Sequence, residues 1–295
     1  GKLYIIDPRK TETEIFEELD DFVEMVFAQP ETAKAYCRKL YRYFVKSEWT
    51  NEVETDIIAP LAQMLIDNNY EILPVVTTLL SSEHFYDADD SDPTDNIIGS
   101  IIKSPLQILS EVCSMFELEY PDPSTDALNY YRNFFQNFIH NRFLPASGMG
   151  FYDPDSVAGY QAYYQQPGFD RNWFSSNTII GRYKLIESLI EGKNTLSGGN
   201  IYAQLDTVAF VKNKIQNASD PNVLVTEIAD LLYPESIDTD RTIYFKRFLV
   251  DEGFPDYYWT GVWNQYISTN DDVTVRTRLN ALIMAMVNAA EFQLM

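Results

Sequence analysis

Residues 272–293, DVTVRTRLNALIMAMVNAAEFQ, carry apolar side chains at every third or fourth position. That spacing is typical of a helix with one face against a core. Its apolar stripe consists of Leu279, Ile283, Met286 and Ala290. Residues 176–192, SNTIIGRYKLIESLIEG, have the same pattern, with a stripe of Ile179, Tyr183, Ile186 and Ile190. Both segments therefore predict core-facing helices.

The same spacing continues outward along most of the chain, whereas the two-residue alternation typical of strands is scarce. Ser104-Pro105 and Asp220-Pro221 each place a capping oxygen before a proline in the first helical turn, where the missing N–H costs nothing. Further helices are indicated at about 12–28, 30–47, 51–68, 70–84, 104–118, 124–143, 200–216, 221–233, 238–251 and 256–267. The sequence predicts an all-α fold, in which residues 1–295 form a single domain and about 11 to 13 helices pack as an irregular bundle.

The chain is strongly acidic, with 22 Lys and Arg against 44 Asp and Glu and a net charge of -22. A field of this sign repels phosphate backbones and anionic lipid headgroups, so a nucleic-acid partner is not expected. The other interpretation is that acidity only keeps the protein soluble. No apolar run approaches the roughly 18 to 20 residues that span a bilayer, and no cofactor motif is present. Neither a membrane span nor a cofactor is therefore expected.

One segment that interrupts the helical spacing is an acidic loop at 87–96, which contains five aspartates. Clustered carboxylates are ligands for Ca²⁺, but this loop has Asp92 and Ile98 where an EF-hand loop starting at Asp87 needs Gly and Glu. A solvated linker is therefore favoured, and a cation site stays open. His84 and His140 are the two histidines, and since neither belongs to a metal or triad pattern, both are expected to be structural.

The second interruption is an irregular loop at 145–175, rich in glycine, proline and aromatic residues. Long loops in compact domains are uncommon and are often functional. Its aromatic residues are Phe151, Tyr152, Tyr160, Tyr163, Tyr164, Phe169, Trp173 and Phe174. Such rings can form a platform for a sugar or a peptide, or they can pin an irregular loop onto helices by burial. Both interpretations remain open at this point.

Residues 153–160 (DPDSVAGY), residues 172–177 (NWFSSN) and Arg182 resemble the signature of a bacterial family, domain of unknown function 1800. In that family a proline-containing turn leads to Val-x-Gly-Trp, and a Trp step then opens a helix that carries an arginine. Tyr160 stands here where Trp is usual. The flanking segments that share the resemblance are 38–45 (RKLYRYFV), 79–85 (LLSSEHF), 103–106 (KSPL) and 289–293 (AAEFQ). The resemblance implies an all-α, exported bacterial protein, periplasmic or at the cell surface, of which this chain is the C-terminal part; it implies no activity.

Arg182 lies one to two turns into the helix that follows the loop, where it could form a bidentate pair with Asp153, Asp155 or Asp170. We expect Tyr160, Trp173 and Arg182 to meet in space. The candidate binding residues are Tyr160, Tyr163, Tyr164, Trp173, Arg182, Asp153 and Asp155. Whether they only lock the loop or also line a ligand pocket is left open by the sequence.

Two hypotheses for function follow. The first, slightly favoured, is a non-enzymatic binding or scaffold protein of the cell envelope that holds a glycan or a protein partner through the aromatic loop. The second is a hydrolase that uses carboxylates of the 152–170 loop. A binding protein should show a shallow aromatic surface, whereas an enzyme should show a deep cleft with convergent carboxylates.

Overall fold

The computed structural model describes residues 11–88, 97–154, 156–160 and 171–295. The helical prediction is confirmed: helices follow one another along these ranges, and no β-strand forms within them. The chain divides into two compact units, residues 1–97 and residues 98–295, each with its own core. The single domain over 1–295 stays a prediction.

The first unit consists of short helices. One helical segment changes from π-helical to α-helical hydrogen bonding at Ala59. Pro60 lies in the first turn of α4, directly after a π-helical segment of the same continuous helix, so its missing N–H removes one backbone hydrogen bond where the pattern changes. The elements are α1 (Glu12–Phe27), α2 (Pro30–Phe44), α3 (Asn51–Val53), the π-helix π1 (Glu54–Ile58), α4 (Ala59–Asp67), α5 (Ile72–Leu80) and a 3-10 turn (His84–Tyr86).

The core of this unit forms between α2, α4 and α5, around Cys37, Tyr41, Leu65 and Leu79. The hydroxyl of buried Tyr41 lies 2.9 Å from Nε2 of His84, and the two rings stack. Two of the segments that carry the family resemblance, 38–45 and 79–85, are therefore held together by this pair. His84 has the structural position expected of it.

The second unit begins with α6 (Pro105–Met115) and contains a long π-helix. Ser104 caps α6 as the sequence predicts: its side chain accepts from Gln107 N, and the Gln107 side chain accepts from Ser104 N. The remaining elements are π2 (Leu128–Phe143), α7 (Leu144–Ala146), a 3-10 turn (Arg171–Trp173), α8 (Thr178–Glu191), α9 (Thr207–Lys214), α10 (Pro221–Leu232), α11 (Thr239–Lys246), α12 (Tyr257–Thr269), α13 (Val273–Val287) and a 3-10 turn (Glu291–Gln293).

The two helices that the sequence marks most clearly, α8 and α13, both lie in the core of the second unit. In α13 the predicted stripe is buried at Leu279, Ile283 and Met286, but Ala290 is exposed because the helix has ended at Val287. In α8 the buried face includes Ile186 and Ile190 of the predicted stripe. The other buried residues of this helix lie outside the stripe: Gly181, Arg182, Leu185, Ser188 and Leu189.

Candidate functional site

Arg182, the charged residue of the family signature, is buried within α8 with 2% of its surface exposed. Its Nε donates to Oε1 of Gln293 at 2.8 Å, and its Nη2 donates to the backbone oxygen of Lys103 at 2.7 Å. Both partners lie far from Arg182 along the chain. The guanidinium therefore joins α8 to the start of α6 and to the C-terminal turn.

The backbone at this junction is paired as well. Lys103 N donates to Gln293 O at 2.9 Å, and Met295 N donates to Ile101 O at 3.0 Å. Gln293 also donates through its side chain to Val287 O, one of the last carbonyls of α13. Three segments that carry the resemblance, 103–106, Arg182 and 289–293, thus converge on one buried network.

Lys103 is the second buried cation of this network. Its Nζ lies 2.8 Å from a carboxylate oxygen of Glu111 and 4.4 Å from the centre of the Phe292 ring. Burial lowers the pKa of Lys103, while Glu111 opposes that change, and burial lowers the pKa of Arg182 to about 10. Among the described residues, Arg182 Nη1 and Ser147 Oγ are buried without a hydrogen-bond partner.

Gly181, next to Arg182, lets α8 approach the preceding segment closely. A Cβ atom at this position would lie 2.3 Å from the backbone oxygen of Ala146 and 2.8 Å from the backbone nitrogen of Ser147. Real Cβ atoms do not come this close to backbone, so glycine is required for the packing. The Gly181-Arg182 pair therefore fixes how α8 lies against α7.

The described part of the irregular loop presents a group of aromatic rings, here called the aromatic surface: Phe151, Tyr152, Tyr160, Trp173 and Phe174. The Tyr160 and Trp173 rings meet edge to face, with centroids 5.1 Å apart. Tyr160 also donates its hydroxyl hydrogen to Gly150 O at 2.6 Å, and Thr178 Oγ1 donates to Trp173 O at 2.9 Å. Trp173 is half-buried, as expected of a ring that holds the loop against the helices. Tyr152 is 72% exposed, as expected of a ring that contacts a ligand.

The predicted meeting of three residues is found for two of them. Tyr160 and Trp173 are in contact, while Arg182 lies 5.7 Å from the Phe174 ring and takes its hydrogen-bond partners from the core. The prediction that Arg182 pairs with Asp153 is therefore wrong, because the buried face of α8 turns the guanidinium toward Gln293. Asp155, Tyr163, Tyr164 and Asp170 lie outside the described residues. Whether the candidate residues bind a ligand stays a prediction.

A cleft of about 740 Å³ in the second unit involves residues that the sequence analysis missed. Polar and aromatic side chains along it include Glu119, Tyr120, Asp126, Glu191, Tyr202 and Gln204. Except for Glu191, the last residue of α8, these residues come from loops between helices, which is why helical spacing does not reveal them. A signal was present nearby, however, in asparagines at every fourth position: Asn129, Asn133, Asn137 and Asn141.

The metal hypothesis concerns a loop that is only partly described. Asp87 accepts a hydrogen bond from Ile97 N at 3.2 Å, while 89–96 lie outside the described ranges. Within those ranges no group of three or more His, Cys, Asp or Glu side chains is placed to hold a metal ion. His140 contacts the Tyr152 ring, with centroids 5.8 Å apart. The solvated linker favoured for 87–96 stays a prediction, and so does its alternative, a cation site.

None of the described helices has the length and apolar character that a membrane crossing requires.

Comparison with known proteins gives one match. The family described as "Protein of unknown function (DUF1800)" matches residues 7–294, nearly the whole chain. No curated protein and no solved structure matches this sequence.

Proposed function

We propose, from the premise that this chain belongs to the DUF1800 family, that it is an exported, non-enzymatic binding or scaffold protein of the bacterial cell envelope. In this proposal the aromatic surface holds a glycan or a protein partner. The observation that carries it is the exposure of Phe151, Tyr152, Tyr160 and Phe174 together in one irregular segment. Single exposed apolar residues are ordinary on protein surfaces, but grouped ones mark contact sites.

The segment also holds its rings in place. The hydrogen bond from Tyr160 to Gly150 O and the contact of Tyr160 with half-buried Trp173 restrict the motion of rings in the aromatic surface. Aromatic rings that are already ordered lose little conformational freedom when a partner binds. The aromatic surface can therefore both hold the loop and bind a partner. In this proposal Trp173 holds the loop, and the exposed rings bind the partner.

The alternative, a hydrolase that uses carboxylates of the 152–170 loop, has less support. Asp153 is exposed, and Asp155 and Asp170 lie outside the described residues. The cleft of about 740 Å³ has carboxylates at Glu119, Asp126 and Glu191, but these do not belong to the loop.

Replacing Tyr152 tests the proposed function. Tyr152→Ser should lower binding to purified peptidoglycan sacculi, or cross-linking to envelope proteins, by about tenfold, since exposed aromatic anchors dominate such contacts. Tyr257→Ser is the matched control, because Tyr257 is 76% exposed and lies in α12 of the same unit. Equal binding by both variants and the wild type would contradict the proposal. Fractionation of cells that carry the native gene, with a cytoplasmic enzyme as marker, tests the export.

A further inference from the structure

Two cavities of the second unit meet along residues 199–202. The first is the cleft of about 740 Å³, and the second has a volume of about 390 Å³. Gly199, Asn200 and Tyr202 line both, so the two cavities adjoin along this segment and are together called the amide groove here. Its residues are separate in the chain from those of the aromatic surface.

One wall of the amide groove is a row of asparagines on π2. Asn133 donates to Asn129 Oδ1 at 2.7 Å, and Asn129 donates to Asp126 Oδ2 at 2.8 Å. Asn137 donates to Asn133 Oδ1 at 3.4 Å, and Asn133, Asn137 and Asn141 line the smaller cavity, whereas Asn129 only continues the row. Each amide has two N–H donors and one acceptor, of which the row uses only part. A row of donors and acceptors therefore faces the groove.

The opposite wall is a tight turn that presents a tyrosine. Gly198 and Gly199 adopt positive φ, Asn194 N donates to Gly199 O at 2.9 Å, and the side chain of Asn194 is buried. Tyr202 has a φ of 59°, which is unfavourable for a residue with a side chain, and Asn200 Oδ1 holds it there by accepting from Tyr202 N at 2.7 Å.

The exposure of Tyr202 is imposed by its neighbours. Ile201 and Ala203 are buried, while Tyr202 between them is 46% exposed. A positive φ at such a residue persists only where the surrounding structure holds it, as the buried neighbours and the bond to Asn200 do here. Across the cleft, Tyr120 stacks one side of its ring on Phe134, with centroids 5.9 Å apart and planes 4° from parallel. The groove thus offers two tyrosine rings supported by the fold.

The charge of the groove limits the ligand. Glu119, Asp126 and Glu191 line its larger part together with Lys193, and Arg142 lines its smaller part, so carboxylates outnumber cations by one in a chain of net charge -22. This excess of carboxylates disfavours phosphorylated or uronic ligands. A peptide that binds by strand addition would need an open strand edge. The backbone of 192–204 instead makes isolated bridges, between Lys193 and Asn200 and between Glu119 and Gln204, which are already internal to the fold.

From these observations we infer that the amide groove binds an uncharged, hydroxyl-rich oligosaccharide. Sugar hydroxyls both donate and accept hydrogen bonds, as the asparagine amides do, and the flat C–H faces of sugar rings pack against tyrosine rings. Carboxylates accept from hydroxyls without a need for ligand charge. This site goes beyond the proposed function, because it uses other residues and defines one chemical class of ligand.

Isothermal titration calorimetry with residues 1–295 tests the inference. The probes are cellohexaose, xylohexaose, maltohexaose and N-acetylchitohexaose, with hexagalacturonate as the anionic counterpart. At least one neutral probe should bind, hexagalacturonate should not, and Tyr202→Gly and Asn137→Ala should each lower the affinity about tenfold or more. Tyr202→Gly should not lower the melting temperature, because glycine adopts positive φ freely. Asn264→Ala, an exposed asparagine on α12, should leave the affinity unchanged.

The inference is overturned if no neutral probe binds, if hexagalacturonate binds as well as the best neutral probe, or if Tyr202→Gly and Asn137→Ala bind like the wild type. Loss of hexasaccharide binding in Tyr152→Ser alone would assign the glycan to the aromatic surface and also overturn it. Release of shorter sugars by the wild type, but not by Tyr202→Gly, would support the groove and contradict the non-enzymatic function. The two proposals can therefore fail separately.

Discussion

The buried network of Arg182 and the amide groove both consist of polar side chains in the second unit, but they differ in where those groups find partners. Arg182 donates to Gln293 and to Lys103 O inside the core, whereas Asn133, Asn137 and Asn141 border open space. Polar groups that are buried must be paired, so such a network fixes a fold. Polar groups that border a cavity keep spare donors and acceptors, so they are available for a ligand. The most unusual charged residue of a sequence therefore need not mark its binding site.

The largest effect is expected from the residue next to Arg182. Gly181→Ala should destabilise the protein by about 3 kcal/mol, because the new Cβ would collide with the Ala146 backbone, which cannot move aside like a side-chain tip. Gly261→Ala is the matched control: it lies in α12, where an added Cβ would meet nothing within 4 Å beyond its own helix, and it should stabilise by about 0.5 to 1 kcal/mol. Urea unfolding measures both, and equal results for the two variants would remove the assigned packing role.

The second prediction concerns the guanidinium itself. Arg182→Ala should lower the free energy of unfolding by about 2 kcal/mol, because Gln293 Oε1 and Lys103 O lose their donor in a buried place. Arg247, an exposed arginine 3.7 Å from Glu252, provides the comparison, and Arg247→Ala should change stability by less than about 0.5 kcal/mol. Should Arg182→Ala unfold like the wild type, the buried network would not hold the fold.

A third prediction uses pH. Burial lowers the pKa of Arg182 to about 10, so the folded state loses this proton before the unfolded chain does. Above about pH 10 the unfolded chain then binds more protons, and stability gains from this group as the pH rises. The difference in unfolding free energy between wild type and Arg182→Met should be constant from pH 7 to 9 and should increase toward pH 11. The Arg182 charge also lowers the pKa of Lys103, so both proteins are compared in a Lys103→Met background, which removes that second titration. A difference that stays flat to pH 11 would show that the charge is not desolvated.

The smallest effect belongs to the groove. Asn137→Ala should change the unfolding free energy by less than about 0.5 kcal/mol, because Asn137 is exposed and its bond to Asn133 is long, at 3.4 Å. Circular dichroism during urea unfolding measures this change. A loss above about 1 kcal/mol would place the asparagine row with the structural network and would end the contrast between the two regions.

Much of the fold could be predicted from the sequence because the signals for a helix lie in residues only a few positions apart. The stripe at Leu279, Ile283 and Met286 is buried, and Ser104 and Asp220 cap the helices they precede. The prediction failed at two points. Ala290 lies beyond the end of α13, and the buried face of α8 is wider than its predicted stripe. Period alone cannot give the end of a helix or the number of elements packed around it.

The candidate site was harder to predict, for a different reason. The sequence brought together Tyr160 and Trp173, which are close along the irregular loop and do touch. It did not place Arg182 against Gln293 or Tyr120 near Tyr202, since those pairs are separated by tens of residues and no local rule joins them.

By itself the sequence determined the helical class, the helix starts with capping residues, the acidic charge and the family, because each depends on composition or on neighbours within a few positions. Only the tertiary structure decided that Arg182 belongs to the core, that the segments around Lys103 and Gln293 meet at it, and that asparagines on π2 line the same cavity as Tyr202. These depend on which surfaces pack together, and packing is settled by shape and burial over the whole unit.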